Sequence, residues 1–374
     1  MKILDRNNFE QLFTFLKKHG YSIIGPTLRD QAIIYDHIDS PTQLPEGWTD
    51  EQAPGKYRVM KRADKALFGF VVGPTSWKRF LFPPQLKLWS AQKGSTGFEV
   101  KVNEEAPPKM AFLGVRSCEL AAIAIQDKVF MNDSFVDPHY KRRRESVLLI
   151  AVNCTEAKGT CFCVSMNTGP KALSGFDMSI TEMIDDKSHY FILRAGTKQG
   201  ESILADLTIT EATENHGQRE LKAFASASAN MGRQMDTSGI KELLYKNLDH
   251  PQWDKVAERC LSCANCTMSC PTCFCSTVED VTDLTGDHAE RWRKWDSCFN
   301  LDFTYLHGGH SRTSSKSRYR QWMTHKLASW QDQFDSSGCV GCGRCISWCP
   351  VGIDITEELN VIRDQQPAPI NSPK

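Results

Sequence analysis

At 374 residues the chain is too long for one ordinary domain, and a typical size of ~150 residues per domain predicts two or three domains. Its 45 Lys and Arg residues balance 45 Asp and Glu residues, so the net charge favours neither nucleic acid nor an anionic membrane surface as a partner. No apolar run approaches the ~20 residues that span a bilayer, and the first residues lack the apolar stretch of a secretory signal, which predicts a cytoplasmic protein without a membrane span.

The first two thirds of the chain alternate between helical and strand-like patterns. Apolar residues at helical spacing predict an N-terminal helix over residues 8–19. The runs Met110–Val115 and Val147–Val152 are continuously apolar, as in strands buried on both faces, and a helix is predicted over residues 118–130 between them. This βαβ-like unit places Cys118 and Cys154 just past the strand ends, at the edge where open α/β sheets bind ligands.

The pattern changes near residue 235, within a polar stretch over residues 234–239, and then becomes predominantly helical. This change predicts a mixed α/β domain over residues 1–235 and a helical domain over residues 236–374.

The fifteen cysteines are clustered along the chain. The first 117 residues contain none, four lie between positions 118 and 163, and eleven lie from position 260 onward. A disulfide framework would be spread over the chain, whereas metal ligands must lie together, so metal binding is the better interpretation.

One cysteine pattern occurs twice. Both copies read C-x2-C-x2-C-x3-C-P, the first beginning at Cys260 and the second at Cys339. A [4Fe–4S] cluster needs four soft anionic ligands, which thiolates supply, and intervals of two residues wrap the backbone around three of its corners. Zinc sites usually combine two separate cysteine pairs, without a third cysteine at this interval or a Cys-Pro step, so two clusters are the favoured interpretation.

The fourth cysteine of each motif has a separate role. In two-cluster ferredoxins it binds the cluster of the other motif. The resulting assignment is Cys260, Cys263, Cys266 and Cys349 for the first cluster, and Cys339, Cys342, Cys345 and Cys270 for the second. The expected fold class is therefore α+β, with an N-terminal mixed α/β domain followed by an α-helical ferredoxin-like domain that holds two [4Fe–4S] clusters.

Seven cysteines lie outside these assignments. The four upstream ones are either buried small apolar side chains or the ligands of a third [4Fe–4S] cluster at the strand ends: Cys118, Cys154, Cys161 and Cys163. The other three, Cys273, Cys275 and Cys298, are expected to pack around the first cluster, with replacement of a ligand as the alternative.

Residues 310–326 contain five cations and no acidic residue: Arg312, Lys316, Arg318, Arg320 and Lys326. One interpretation places these cations beside a thiolate-ligated cluster, where they would stabilise its reduced state and raise its reduction potential. The alternative is a helix whose cations lie in solvent. No nucleophile–base pair, nicotinamide fingerprint or P-loop is visible, so no catalytic residue is predicted and a relay is favoured over a self-sufficient enzyme.

Several segments resemble one known family. They include the run from Cys270 to Cys275, and they lie at residues 114–120, 153–154, 161–163, 260–283, 295–299, 308–310, 318–322 and 339–354. These segments are similar to the iron–sulfur β subunits of cytoplasmic NAD(P)-linked [NiFe] hydrogenases, among them the sulfhydrogenases, and to the related A subunit of anaerobic sulfite reductase. Glu119 stands where members of this family often have Asp.

The resemblance implies a subunit that passes single electrons through its clusters within a multisubunit complex. Its partners would be a flavin- and NAD(P)H-binding subunit and the catalytic subunits of a hydrogenase. An alternative of the same class is the A subunit of an anaerobic sulfite reductase, with sulfite reductase subunits as partners. An alternative of another class is an iron–sulfur redox sensor, which would have an exposed, labile cluster and no stable partners.

Overall fold

The computed structural model describes residues 1–71, 73–102, 106–132 and 135–365. Its strands, in chain order, are β1 (Lys2–Asp5), β2 (Ser22–Arg29), β3 (Ala32–His37), β4 (Trp48–Ala53), β5 (Lys56–Lys61), β6 (Gln85–Gly94), β7 (Gly97–Val102), β8 (Met110–Val115), β9 (Val147–Val152), β10 (Met178–Ile184), β11 (His189–Ala195), β12 (Thr210–Glu211), β13 (Ser276–Thr282), β14 (His288–Trp295), β15 (Tyr305–Leu306) and β16 (Gly309–His310).

The α-helices of the same residues, in chain order, are α1 (Glu10–Lys18), α2 (Lys78–Leu81), α3 (Ser117–Met131), α4 (Pro138–Ser146), α5 (Lys198–Asp206), α6 (Glu214–Ala229), α7 (Ile240–Lys246), α8 (Gln252–Arg259), α9 (Asn265–Met268), α10 (Ser315–Thr324), α11 (Trp330–Phe334), α12 (Arg344–Ser347) and α13 (Ile355–Asp364). Short 3-10 segments cover Arg6–Asn8, Pro41–Gln43 and Asp302–Thr304, and one turn of π-helix covers His325–Ser329. None of the described helices is long and apolar enough to cross a membrane.

The largest sheet in the described chain has eight strands in the order β12-β1-β11-β10-β9-β8-β2-β3. The four central strands β10, β9, β8 and β2 are parallel, and the outer pairs are antiparallel. Every residue of β8 is buried, as the continuous apolar run predicts for a strand covered on both faces. The predicted βαβ unit is confirmed, because α3 connects β8 with the parallel neighbour β9.

Helix α1 packs against one face of this sheet. Its apolar side chains Leu12, Phe13 and Leu16 recur at helical spacing and are fully buried in the core under the sheet. Burial of such a side chain contributes roughly 1.5–3 kcal/mol, so this face of α1 fixes the helix in place. The helix predicted over residues 8–19 is confirmed, with slightly shorter bounds.

A second sheet joins the two parts of the chain. Its order is β13-β14-β6-β7, and β14 pairs antiparallel with β6. The prediction that the chain is predominantly helical beyond residue 235 is therefore wrong for residues 276–295, which form a hairpin. Thr277, Val278, Val281 and Thr282 give this segment the β-branched character of a strand, and Gly286 takes a positive φ of 71° in its turn.

The short strands β15 and β16 also depart from the helical prediction, whereas helices form most of the regular structure in the remaining C-terminal part. Helices α7, α8, α10 and α13 surround a core that includes Trp253, Tyr319, Trp322, Leu327 and Leu359, all buried. Five of the eight motif cysteines pack against this core as partly buried residues: Cys260, Cys266, Cys339, Cys345 and Cys349. The observed class is thus mixed α/β, with a helical region that carries both motifs near the C-terminus.

The hairpin of β4 and β5 also contacts the second motif. The Gly55 amide in its turn donates to the carbonyl oxygen of Ile346 at 3.0 Å. The ring of Tyr57 packs against that of Trp348, with centroids 5.1 Å apart. The N-terminal part of the chain therefore supports the second motif directly.

Candidate iron–sulfur centres

The two cysteine motifs share one backbone shape. The second and fourth residues after the first cysteine have positive φ in each: 52° at Ser262 and 67° at Ala264, 66° at Gly341 and 76° at Gly343. A short helix follows in each motif, α9 in the first and α12 in the second. This repetition in conformation indicates that both loops are built for the same kind of ligand.

The first site is defined by Cys260, Cys263, Cys266 and Cys349. These four residues line one cavity of about 450 Å³, including its opening to solvent. Three of them come from the first motif and one from the second, which is the combination that the crossed assignment predicts. Cys345 lines the same cavity, so the second site adjoins it. Four soft thiol donors around an enclosed space fit an iron–sulfur cluster.

Two buried donors also face this cavity. Tyr319 and Trp322 line it, and neither the Tyr319 hydroxyl nor the Trp322 indole N–H has a hydrogen-bond partner among the described residues. Buried donors in proteins almost always have an acceptor, and leaving one without a partner costs about 1–3 kcal/mol. Burial, followed by the charges of Glu358 and Cys266, raises the pKa of Tyr319, so its hydroxyl keeps its proton at neutral pH. Both groups are suited to donate to cluster sulfur.

The second site is defined by Cys339, Cys342, Cys345 and Cys270. Burial, together with the charges of Cys342 and Cys270, raises the pKa of Cys339 to about 12, although Lys326 and the Gly341 amide oppose this. Burial is the largest cause of the raised pKa of Cys345, and the charges of Cys339, Cys342 and Cys270 also contribute. The Gly341 amide donates to the Cys339 sulfur at 3.5 Å. The structure therefore brings these four thiols together across the two motifs.

A buried lysine contacts the second site. Lys326 lies on the π-helical turn and is 3% exposed. Its ammonium group is 3.3 Å from the Cys270 sulfur and 3.6 Å from the Cys273 sulfur. Burial lowers the pKa of Lys326, but the charges of Cys270 and Cys273 outweigh it and the pKa is raised. A hydrogen bond from Cys273 is the main reason why the pKa of Cys270 lies well below its usual value. Burial acts in the opposite direction, and the charge of Lys326 lowers the pKa as well.

The third site is defined by Cys118, Cys154, Cys161 and Cys163. These residues line a second cavity of about 330 Å³ at the carboxyl ends of β8 and β9, where the sequence predicts that Cys118 and Cys154 meet. Burial raises the pKa of Cys163 to about 12, and the charge of Cys154 adds to this effect. All four cysteines thus surround the same space.

A buried arginine contacts the third site. Arg116 lines this cavity and donates to the carbonyl oxygens of Phe68 at 2.9 Å and Phe70 at 2.7 Å. Its Nε has no hydrogen-bond partner in the described part of the chain. Burial raises the pKa of Cys154 and the Arg116 charge partly opposes it.

The second and third sites are neighbours. Cys342 lines the third cavity, and the Phe162 amide donates to the Gly341 carbonyl at 2.9 Å. A Cβ atom on Gly343 would lie 2.2 Å from the Thr160 carbonyl oxygen. Gly341 and Gly343 therefore pack closely against the loop over residues 160–163.

The other three cysteines are divided between two places. Cys298 packs against the same core as Cys266 of the first site, as the sequence interpretation expects. A hydrogen bond from Cys298 lowers the pKa of Cys275 to about 7 although burial opposes it. Cys273 instead lies beside Cys270, so the expectation that it packs around the first cluster is wrong: it contacts the lysine of the second site. No three His, Cys, Asp or Glu side chains of the described residues are arranged to hold a single metal ion.

Comparisons with known proteins agree with these observations. Residues 259–353 match the family described as a 4Fe-4S dicluster domain. The chain is 28% identical over 359 residues to the sulfhydrogenase 2 subunit beta of Pyrococcus furiosus, which covers 95% of this chain and 96% of the relative. No solved structure matches. The chain therefore contains a 4Fe–4S dicluster domain over residues 259–353, and the resemblance to a sulfhydrogenase β subunit, predicted from its motifs, is confirmed over nearly its whole length.

Proposed function

We propose that this chain is an electron-transfer subunit that relays single electrons between a flavin- and NAD(P)H-binding subunit and a catalytic subunit, that of a [NiFe] hydrogenase. One observation carries the proposal. Cysteines from two motifs far apart in the sequence line one cavity, together with buried donors for which the described residues provide no acceptor. A bound [4Fe–4S] cluster supplies one-electron chemistry. The protein groups supply ligands, orient them and limit access of water.

We assign the ligands as the crossed pattern requires. The first cluster is held by Cys260, Cys263, Cys266 and Cys349, and the second by Cys339, Cys342, Cys345 and Cys270. The first assignment is supported by the shared cavity, and the second by the mutual effect of the thiols on their pKa values. Because Cys345 borders the first cavity, an electron that leaves one cluster has the next one close by.

We extend the relay to a third [4Fe–4S] cluster at Cys118, Cys154, Cys161 and Cys163. These four residues line one cavity, and Cys342 of the second site lines it as well. The buried cation of Arg116 at this cavity would balance the negative charge of a thiolate-ligated cluster. Three neighbouring clusters would then form an electron-transfer path from the helical region to the edge of the eight-stranded sheet.

We also propose a division into two domains, with residues 1–235 as the mixed α/β domain and residues 236–374 as the dicluster domain. Separate cores support it: one is formed by residues between 4 and 207, and another almost wholly by residues between 235 and 362. Residues 366–374 of the second domain lie outside the described part of the chain.

Isolation of the native complex tests the proposed partners. The chain would be tagged in its own cell and purified without oxygen, and the proteins that accompany it would be identified and analysed for flavin, nickel and iron. A flavoprotein and a nickel protein in fixed ratio to the chain are expected. A sirohaem protein in place of the nickel protein would favour the sulfite reductase alternative. A chain that carries clusters but no stable partner would contradict the relay and favour a redox sensor.

A further inference from the structure

Lys326 connects the two motifs at one buried point. Its ammonium group is 3.0 Å from the hydroxyl oxygen of Thr272, which follows the first motif, and 3.0 Å from the carbonyl oxygen of Gly338, which precedes the second. It is also 3.3 Å from the sulfur of Cys270, the residue assigned as the crossed ligand of the second cluster. A full positive charge is therefore held in contact with one ligand atom of that cluster.

This charge has no carboxylate to balance it. The contacts of the Lys326 ammonium are two sulfurs, a hydroxyl and a carbonyl oxygen, and none of the described Asp or Glu side chains lies within ion-pairing distance. A buried ammonium without an anionic partner is strongly disfavoured. The only anions that its surroundings offer are thiolates, so the position is explained when Cys270 is ionised, as a cluster ligand is.

The other buried cation of the second motif is different. Arg344 directly precedes Cys345, but its guanidinium donates to the Glu119 carboxylate at 2.5 Å. The two side chains are 0% and 1% exposed, so they form an ion pair of little net charge. Lys78, also buried, donates to the carbonyl oxygen of Cys273 at 3.1 Å and not to a sulfur. Arg344 also lies beside the Cys342 thiol, but its charge is balanced by Glu119. Within the described chain, Lys326 is therefore the cation of the second site that contacts a proposed ligand sulfur without a carboxylate partner.

At the first site, the buried donors that lie near the proposed cluster are uncharged. Tyr319 and Trp322 line its cavity and carry no charge. Arg318 reaches the first motif, but it donates to the Ser262 hydroxyl at 3.3 Å and not to a sulfur. Reduction adds one electron to a cluster, and a cation in contact with a ligand stabilises the reduced state more than a neutral donor does. The two clusters are therefore in unequal electrostatic surroundings.

We propose that Lys326 is a positioning residue that sets the reduction potential of the second cluster above that of the first, so that an electron shared by the two resides mainly on the second. The proposal rests on the ligand assignment of the proposed function. It gives Lys326 a role in the direction of electron flow that a merely structural cross-link would not have.

Redox titration of the purified complex, followed by electron paramagnetic resonance, tests this role. In Lys326→Met one cluster couple should become at least tenfold harder to reduce at a fixed ambient potential, which is a fall in its midpoint of about 59 mV or more for a one-electron couple. Lys326→Arg keeps the charge and should leave that midpoint near the wild-type value. Tyr319→Phe, at the first site, should affect a different couple.

Controls separate charge from folding. Lys316→Met removes a cation from the neighbouring helix, where Lys316 pairs with Asp254 at the surface, and should move no couple. Lys326→Gln serves as a second neutral variant. The proposal would be overturned if the midpoints stayed unchanged in a neutral Lys326 variant that has the iron content of wild type. It would also be overturned if the Lys326 variants shifted the couple that Tyr319→Phe affects. Loss of iron in both neutral variants would also overturn it, in favour of a structural role. A wild-type chain without iron would instead refute the proposed function.

Discussion

Arg344 of the second motif donates to Glu119 of helix α3 at 2.5 Å, with both side chains almost fully buried. The Glu119 carboxylate also accepts from the Tyr35 hydroxyl at 2.7 Å and from the Trp77 indole at 3.0 Å. Since Glu119 directly follows Cys118, this ion pair connects the loop of the second site to the helix of the third. The two sites are thereby held in a fixed relation.

This pair leads to a first prediction. Arg344→Met leaves the Glu119 charge buried without its partner, which should lower the free energy of unfolding by about 3–5 kcal/mol. The double variant Arg344→Met with Glu119→Gln removes both charges and should recover part of that loss. Urea unfolding followed by circular dichroism would measure both. A single variant within 1 kcal/mol of wild type, roughly the effect of a surface pair, would contradict the buried pairing.

The crossed ligands give a second prediction. Cys349→Ala lies in the second motif, yet it should remove the first cluster and about four irons per chain. The couple that disappears should be the one that Tyr319→Phe affects, and the couple whose midpoint falls in Lys326→Met should remain. Iron analysis and redox titration of Cys349→Ala, alone and combined with Tyr319→Phe, would measure this. If a remaining couple still responds to Tyr319→Phe, the ligands are not crossed. Ser347→Ala, in the same motif, should retain all of its iron.

The cavity at the sheet edge gives a third prediction. The anaerobically purified chain should contain about twelve irons, and Cys154→Ala should reduce this to about eight, because a [4Fe–4S] cluster carries four. Cys298→Ala is the matched control, since Cys298 lies outside the three proposed sites, and it should keep about twelve irons. A wild-type value of about eight would reject the third cluster and return its four cysteines to the role of buried side chains.

The glycine of the second motif gives a fourth prediction. In Gly343→Ala the new Cβ would meet the Thr160 carbonyl oxygen at 2.2 Å, in addition to the strain of a φ of 76°. Gly239→Ala is the control, because its φ is 57° and no atom lies within 4 Å of the added Cβ. The control should lose roughly 1–2 kcal/mol of stability from backbone strain alone, and Gly343→Ala clearly more. Equal losses in thermal unfolding would show that the loop over residues 160–163 does not restrict this position.

Local sequence patterns predicted much of the fold and of the sites. The cysteine spacing led to the two motifs, the continuous apolar runs led to β8 and β9, and helical spacing led to α1. Each of these features depends on residues close together in the chain. Cys118 and Cys154 could also be placed, because the ends of parallel strands meet at one edge of a sheet.

Contacts between distant residues could not be predicted in this way. Strand β13 is largely exposed and β14 is partly buried along nearly its whole length, so neither shows the alternation of buried and exposed residues that marks a half-buried strand. Their partner β6 lies far away in sequence. Lys326 is one of several cations in its segment, and only the fold distinguishes it by placing it against Cys270. The contact of Gly343 with Thr160 likewise depends on the approach of a remote loop.

The pairing of β6 with β14 has a consequence for how the protein is made. Gln92 at the end of β6 meets Asp287 beside β14, 195 residues further along the chain. During synthesis, which proceeds from the N-terminus, the edge of β6 stays open until the whole first cysteine motif has left the ribosome. The first motif is therefore available to bind iron before this sheet is complete, while the unpaired edge of β6 is still open to pairing with another chain.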